Sequence, residues 1–282
     1  MHFRLGCLEL GCLEMTVIDR RTLLLMSMAL LPASASAASR QHSPSPQTFD
    51  YGPARLDIYS RDGARGLPVV FYIHGGAWRA GNRNNVDSKP GFLLDNGFCF
   101  VSIDYRLLPE ADVASQAHDV EQAYRYVRAN IAKHGGDPDR IAVMGHSAGC
   151  HLAALTGLRG GLPGVAALVL GDTKAYDLEA LARSGGMTRA YARAFPDPAQ
   201  WRALSPAAQV GGKHPPTFIA YSRASGRATV SRAFAERLRA TGTEVILFDG
   251  SAYSHMSIDR AFGDEGDALT SAVMIFLKSA LG

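Results

Sequence analysis

Apolar positions along this chain recur with two different spacings, and the two take turns. Leu67–Ile73 and Phe98–Ile103 are short β-branched and aromatic runs that end at loop signals, as strands buried on both faces do. From Val113 to Ile131 the spacing changes, and Val113, Val120, Tyr124, Val127 and Ile131 fall on one helical stripe. That stripe stops at His134-Gly135-Gly136. Further strands are predicted over Arg140–Met144, Val165–Leu170, Thr217–Tyr221 and Glu244–Phe248, with Arg55–Ser60 as an outer strand. Helices are predicted over Ala148–Leu158, 229–241 and 266–280. Strand–helix alternation of this kind implies an α/β domain, a mostly parallel sheet with helices on both faces. Residues 172–206 break the rhythm, with short helical pieces interrupted by Gly185-Gly186, Pro196 and Pro198. An insertion after a strand of such a sheet sits over the ligand-binding end, so a small lid is expected there.

The first forty residues carry a different pattern. Met15-Thr-Val-Ile-Asp-Arg20-Arg21 is followed by an apolar run from Thr22 to Leu31, then Pro32 and the small residues Ala33 to Ala37. A charged start, an apolar stretch too short to span a bilayer and an A-x-A site make residues 1–37 a predicted signal peptide. The paired arginines suggest the twin-arginine type, with Met15 as the true start and a periplasmic or secreted product. Residues 38–48, rich in Ser, Pro and Gln, read as a flexible leader, and 49–282 as a single domain.

Composition narrows the function classes further. The chain has 282 residues and a formal charge of +3, with no basic run, so nucleic acid and anionic membranes are not expected partners. Removing residues 1–37 takes away three arginines and three acidic residues, so the charge is unchanged. It also leaves only Cys99 and Cys150, one in an apolar strand and one opening a helix, where buried free thiols are expected.

Two motifs carry chemistry. Gly145-His146-Ser147-Ala148-Gly149 has the G-x-S-x-G form between a predicted strand and a predicted helix. The glycines let the chain make a strained turn that exposes the Ser147 hydroxyl and aims the Ala148 N–H at a developing oxyanion. About seventy residues earlier, His74-Gly75-Gly76-Ala77-Trp78 follows another strand, where Gly75 and Gly76 can supply the rest of an oxyanion hole. His255 lies in the loop after the last strand, the place for a general base. His74 and His146 brace their own turns, and His118, His134, His151 and His214 are less well placed. No pair has convincing metal spacing, so neither a metal nor another cofactor is expected.

HGGAW, DYRL at Asp104–Leu107, GHSAGCHLA and YDLEAL at Tyr176–Leu181 together resemble the esterase/lipase clan of the α/β-hydrolase fold. The nearest branches are the kynurenine-formamidase and feruloyl-esterase-like carboxylesterases, and the similarity covers residues 50–282. The resemblance implies hydrolysis of a small acyl ester or formamide through an acyl-enzyme, with Ser147 as nucleophile and His255 as base.

One departure matters. The family's acid should follow Thr217–Tyr221, yet no Asp or Glu occurs from Pro198 to Ala235, and Ser225 or Arg223 stands in its place. Three readings stay open: a carboxylate from elsewhere, a Ser147–His255 dyad, or a degenerate ligand-binding protein without turnover. Asp172, after the preceding strand, is the first choice for a relocated acid, with Asp249 and Asp177 behind it.

Overall fold

The computed structural model describes residues 45–282, so the predicted signal peptide and most of the leader lie outside the described residues. Gln47–Asp50 (β1) and Arg55–Tyr59 (β2) pair antiparallel at one edge of an eight-stranded sheet. Then come Leu67–Ile73 (β3), Cys99–Ile103 (β4), Gly136–His146 (β5), Ala167–Gly171 (β6), Thr217–Ser222 (β7) and Val245–Gly250 (β8). Their order is β1-β2-β4-β3-β5-β6-β7-β8, with every pair from β4 to β8 parallel.

The helices are Lys89–Asp95 (α1), Val113–Asn130 (α2), Ala148–Leu158 (α3), Leu178–Arg183 (α4), Arg189–Ala194 (α5) and Trp201–Leu204 (α6). Arg227–Arg239 (α7), Ser257–Arg260 (α8) and Ala268–Leu281 (α9) complete them. Strand alternation sorts the core into two layers. Val69, Phe71 and Ile73 face Val120, Tyr124 and Val127 of α2, together with α3 and α7. Val70 and Tyr72 face the other way, toward Leu93 of α1 and Val273, Phe276 and Leu277 of α9. Both faces of β3 are therefore buried, which is why its sequence is apolar throughout rather than alternating.

Three details differ from the sequence-based expectation. Gln47 and Thr48, read as leader, belong to edge strand β1, so Arg55–Tyr59 is second in the sheet and not outermost. β1 has no apolar alternation, and its register is set by pairing with β2, Gln47 opposite Ile58. Helix α1 was not predicted: it is seven residues long, contains Pro90 and Gly91, and buries only Leu93 and Leu94 as apolar anchors. β5 starts at Gly136 because a polar extension pairs with Leu67 across an irregularity in the ladder.

The insertion folds as α4 to α6 with one-turn 3-10 segments at 198–200 and 206–209, and no strand. Asp177 caps α4 by accepting from Ala180 N at 2.9 Å. Tyr191 and Phe195 of the insertion pack on Trp78, with ring centroids 5.6 and 4.9 Å away. No helix of the described residues is long and apolar enough to cross a membrane. Cys99 and Cys150 are free and buried.

Candidate active site

Ser147 stands between β5 and α3 with φ 55° and ψ −114°, a left-handed conformation costly for a residue with a side chain. The flanking glycines make the turn possible. A Cβ on Gly145 would lie 2.3 Å from the Gly149 carbonyl oxygen, and one on Gly149 only 2.0 Å from that of Ile73. Ser147 occupies the N-cap of α3, yet its hydroxyl caps nothing. A capping bond worth about 1 kcal/mol is forgone. The hydroxyl points instead at His255 Nε2, 3.0 Å away.

The other ring nitrogen, His255 Nδ1, lies 2.7 Å from Asp172 Oδ2. A carboxylate only accepts, so Nδ1 carries the proton and Nε2 is left to accept from Ser147. Asp172 follows β6, also at positive φ (61°), and is fully buried. Its second oxygen accepts from Ser222 N at 2.8 Å. The Arg227 guanidinium donates to the Asp172 main-chain carbonyl, and its Nε stands 3.4 Å from Oδ2. Burial pushes the Asp172 carboxyl up, but the His255 bond, the Arg227 charge and the Ser222 N–H outweigh it and hold it below its ordinary value.

The His74–Trp78 turn lies against this elbow. A Cβ on Gly75 would be 3.2 Å from Ser147 Cβ, and one on Gly76, at φ +128°, would be 1.9 Å from the Ala80 carbonyl oxygen. Among the described residues, the N–H groups of Gly75, Gly76 and Ala148 make no backbone hydrogen bond, and the same holds for Ala77 and Trp78 of this turn. The N-terminal end of α3 adds its partial positive charge. His74 holds the turn through its Nδ1, 2.7 Å from the Gly75 carbonyl, while its ring stacks on Tyr105.

The remaining candidates lie elsewhere. Asp249 is exposed and accepts from Ser251 N, Asp177 is spent on its cap, and Ser225 is exposed. Arg223 donates to the Ala252 carbonyl. His118 is exposed, the His134 ring lies tilted against Phe49, and the His214 main chain bonds to Thr243. His151 is buried, with Nε2 2.8 Å from the Leu204 carbonyl. His146, Asp172 and His255 form the one cluster of metal-ligand type among the described residues. Its atoms are already engaged: Asp172 with His255 Nδ1, and His146 Nε2 with the His255 carbonyl. Arg227 and Ser222 escaped the sequence reading, since a lone arginine opening a helix carries no motif.

The eight-stranded sheet, the strained serine turn and the histidine after the last strand make up the α/β-hydrolase fold. Residues 56–179 match the BD-FAE family model. Esterase LipQ of Mycobacterium tuberculosis (strain ATCC 25618 / H37Rv) is 29% identical over 270 residues, which cover 86% of this chain and 64% of LipQ. Probable carboxylic ester hydrolase LipM of the same organism is 41% identical over 114 residues, 39% of this chain and 26% of LipM. This chain thus covers less than two thirds of either relative's length. Among solved structures, the thermostable carboxylesterase EstE1, cloned from a metagenomic library, superimposes with a TM-score of 0.73 at 23% identity. That match covers 86% of this chain and 90% of EstE1, and it supports the fold.

Proposed function

We propose that this protein is a serine esterase that cleaves small acyl esters through an acyl-enzyme. The observation that carries the reading is the unbroken line from Ser147 Oγ to His255 (3.0 Å) to the buried Asp172 (2.7 Å). On this reading His255 Nε2 takes the Ser147 proton as Oγ attacks the ester carbonyl carbon. The N–H groups of Gly75, Gly76 and Ala148 receive the oxyanion, and Asp172 stabilises the imidazolium. Collapse of the tetrahedral intermediate breaks the bond to the alcohol, which leaves with the proton from His255. Water then repeats the sequence on the acyl-enzyme, with His255 as base, and releases the acid and Ser147. The similarity to enzymes named as esterases supports ester hydrolysis. A formamide is a second substrate class for the same nucleophile. The dyad and binding-protein readings lose their motive once a carboxylate stands on His255 Nδ1.

The same proposal includes export to the periplasm or beyond, supported by the apolar run and small residues of positions 22–37. The test of catalysis is a fluorophosphonate probe together with a p-nitrophenyl short-chain ester. Both should react with the native protein and neither with Ser147→Ala, whose turnover should fall by about 10⁴-fold or more. Labelling that survives this substitution removes Ser147 as the nucleophile.

A further inference from the structure

Behind the serine turn lies a buried polar cluster that the mechanism above leaves unused. His146, the variable residue of the G-x-S-x-G motif, is buried, and its Nε2 lies 2.8 Å from the His255 main-chain carbonyl. A carbonyl only accepts, so Nε2 carries the proton. The His146 ring lies beside that of His255, centroids 4.7 Å apart. Its Nδ1 faces Asp259 Oδ2 at 3.7 Å. Asp259 accepts from Tyr72 Oη at 3.0 Å and pairs with Lys89 Nζ at 3.2 Å, while the same ammonium donates to the Asp259 carbonyl at 2.9 Å. Lys89 and Tyr72 are each only 1% exposed.

Buried ion pairs rarely add net stability, because desolvation offsets the attraction, so the cluster calls for another reason. Its position supplies one. His255 and Asp259 are one helical turn apart, at the two ends of a segment in which Met256 and Ser257 are exposed and Ile258 is buried. His146 holds the first end at the His255 carbonyl, and Lys89 with Tyr72 holds the second. We propose that His146 is a positioning residue for His255, with Asp259, Lys89 and Tyr72 as the mount that fixes the loop carrying it. The inference rests on His255 being the base.

The charges agree with that role. The groups facing His146 are Asp259 from α8, His255 from the loop and Asp172 from the end of β6. Burial holds the His146 imidazole below its ordinary value despite the two carboxylates. Asp259 is pushed up by burial, yet Lys89, His146 and Tyr72 bring it below the usual carboxyl range. A His146 imidazole disfavoured from charging keeps a second cation from the side of His255 as His255 becomes an imidazolium.

The test compares His146→Leu with His146→Gln, which keeps a donor near the Nε2 position. His146→Leu should lower kcat by about 10- to 100-fold through misplacement of the base, with KM little changed. Deuterium uptake in residues 251–259 should rise with it, and His146→Gln should recover most of kcat. Wild-type kcat or unchanged uptake in His146→Leu overturns the proposal, as does a glutamine variant no better than leucine. Should His146→Leu not fold, ¹⁵N spectra of the native imidazoles decide. His146 should be the Nε2–H tautomer with a pKa below that of an ordinary histidine, and the other tautomer or a raised pKa overturns the role. His255→Ala separates the two readings. If it stays active the base assignment fails, whereas an inactive His255→Ala beside a fully active His146→Leu removes only the positioning role.

Discussion

Arg227 reaches the same Asp172 carboxylate oxygen that His255 engages, its guanidinium on the Asp172 main-chain carbonyl and its Nε 3.4 Å from Oδ2. The arginine opens the helix that follows β7, next to the segment where the family's acid would stand. In this chain that region serves a carboxylate from the neighbouring strand instead of supplying one, through Ser222 N and Arg227.

Arg227→Met should therefore cost stability, about 3 kcal/mol at pH 7, because it leaves a buried carboxylate without its cation. The sign with pH follows from the direction of the Asp172 shift. A carboxyl held below its ordinary value of 3.8 stabilises the fold above that value, and the contribution disappears as pH falls through the folded-state value. The gap between native protein and variant should be widest near neutrality and narrow below about pH 4. Urea unfolding across pH 3 to 7 reads this directly, and a gap independent of pH would point to lost packing rather than charge.

The residues that meet around Ser147 are those that motif and chain order single out, and the reason is backbone geometry. Gly145, Gly149 and Gly76 are readable because each sits where a Cβ would strike a carbonyl, so the chain has little choice. His255 is readable because parallel sheets gather their loops at one end. Asp172 ranks ahead of Asp249 and Asp177 because it directly follows a strand of the sheet, while Asp177 stands five residues further on and caps α4. Arg227 and Lys89 were invisible, because their partners lie 55 and 170 residues away along the chain. Strand β1 and helix α1 escaped for a related reason: each is too short for a period, and tertiary contacts define it.

Gly149→Ala tests how far the serine turn depends on close backbone approach. The added methyl would start 2.0 Å from the Ile73 carbonyl oxygen, which belongs to the central strand and has little room to give. A loss of about 3 kcal/mol or more is expected, read as a lower urea midpoint, with phosphonate labelling lost in any folded remainder. A stable and reactive Gly149→Ala would mean that β3 and α3 can move apart.

On the proposed export, the mature N-terminus should lie near Ala38, after the small residues that suit signal peptidase. Replacing Arg20 and Arg21 with lysines should block passage of the folded protein if the signal is of the twin-arginine type. N-terminal sequencing of the exported product checks the first point, and a product beginning at Met1 or Met15 contradicts it.

The Asp172 carboxylate on His255 Nδ1 gives the sharpest case. Asp172→Asn keeps an oxygen for Ser222 N but places an uncharged amide where the imidazolium needs a carboxylate. It should lower kcat by about 10⁴-fold with KM nearly unchanged, because the lost interaction matters in the transition state. Ser225→Asp separates this arrangement from one in which His255 turns toward the family's usual acid position. Ser225 is exposed, and His255 Nδ1 is already taken by Asp172, so the added carboxylate should leave kcat as it is. In the double variant Asp172→Asn/Ser225→Asp, activity should stay as low as in Asp172→Asn alone. Recovery there would show that the loop after β7 still reaches the base, and a rise in the single Ser225→Asp variant would show that Asp172 is not its partner.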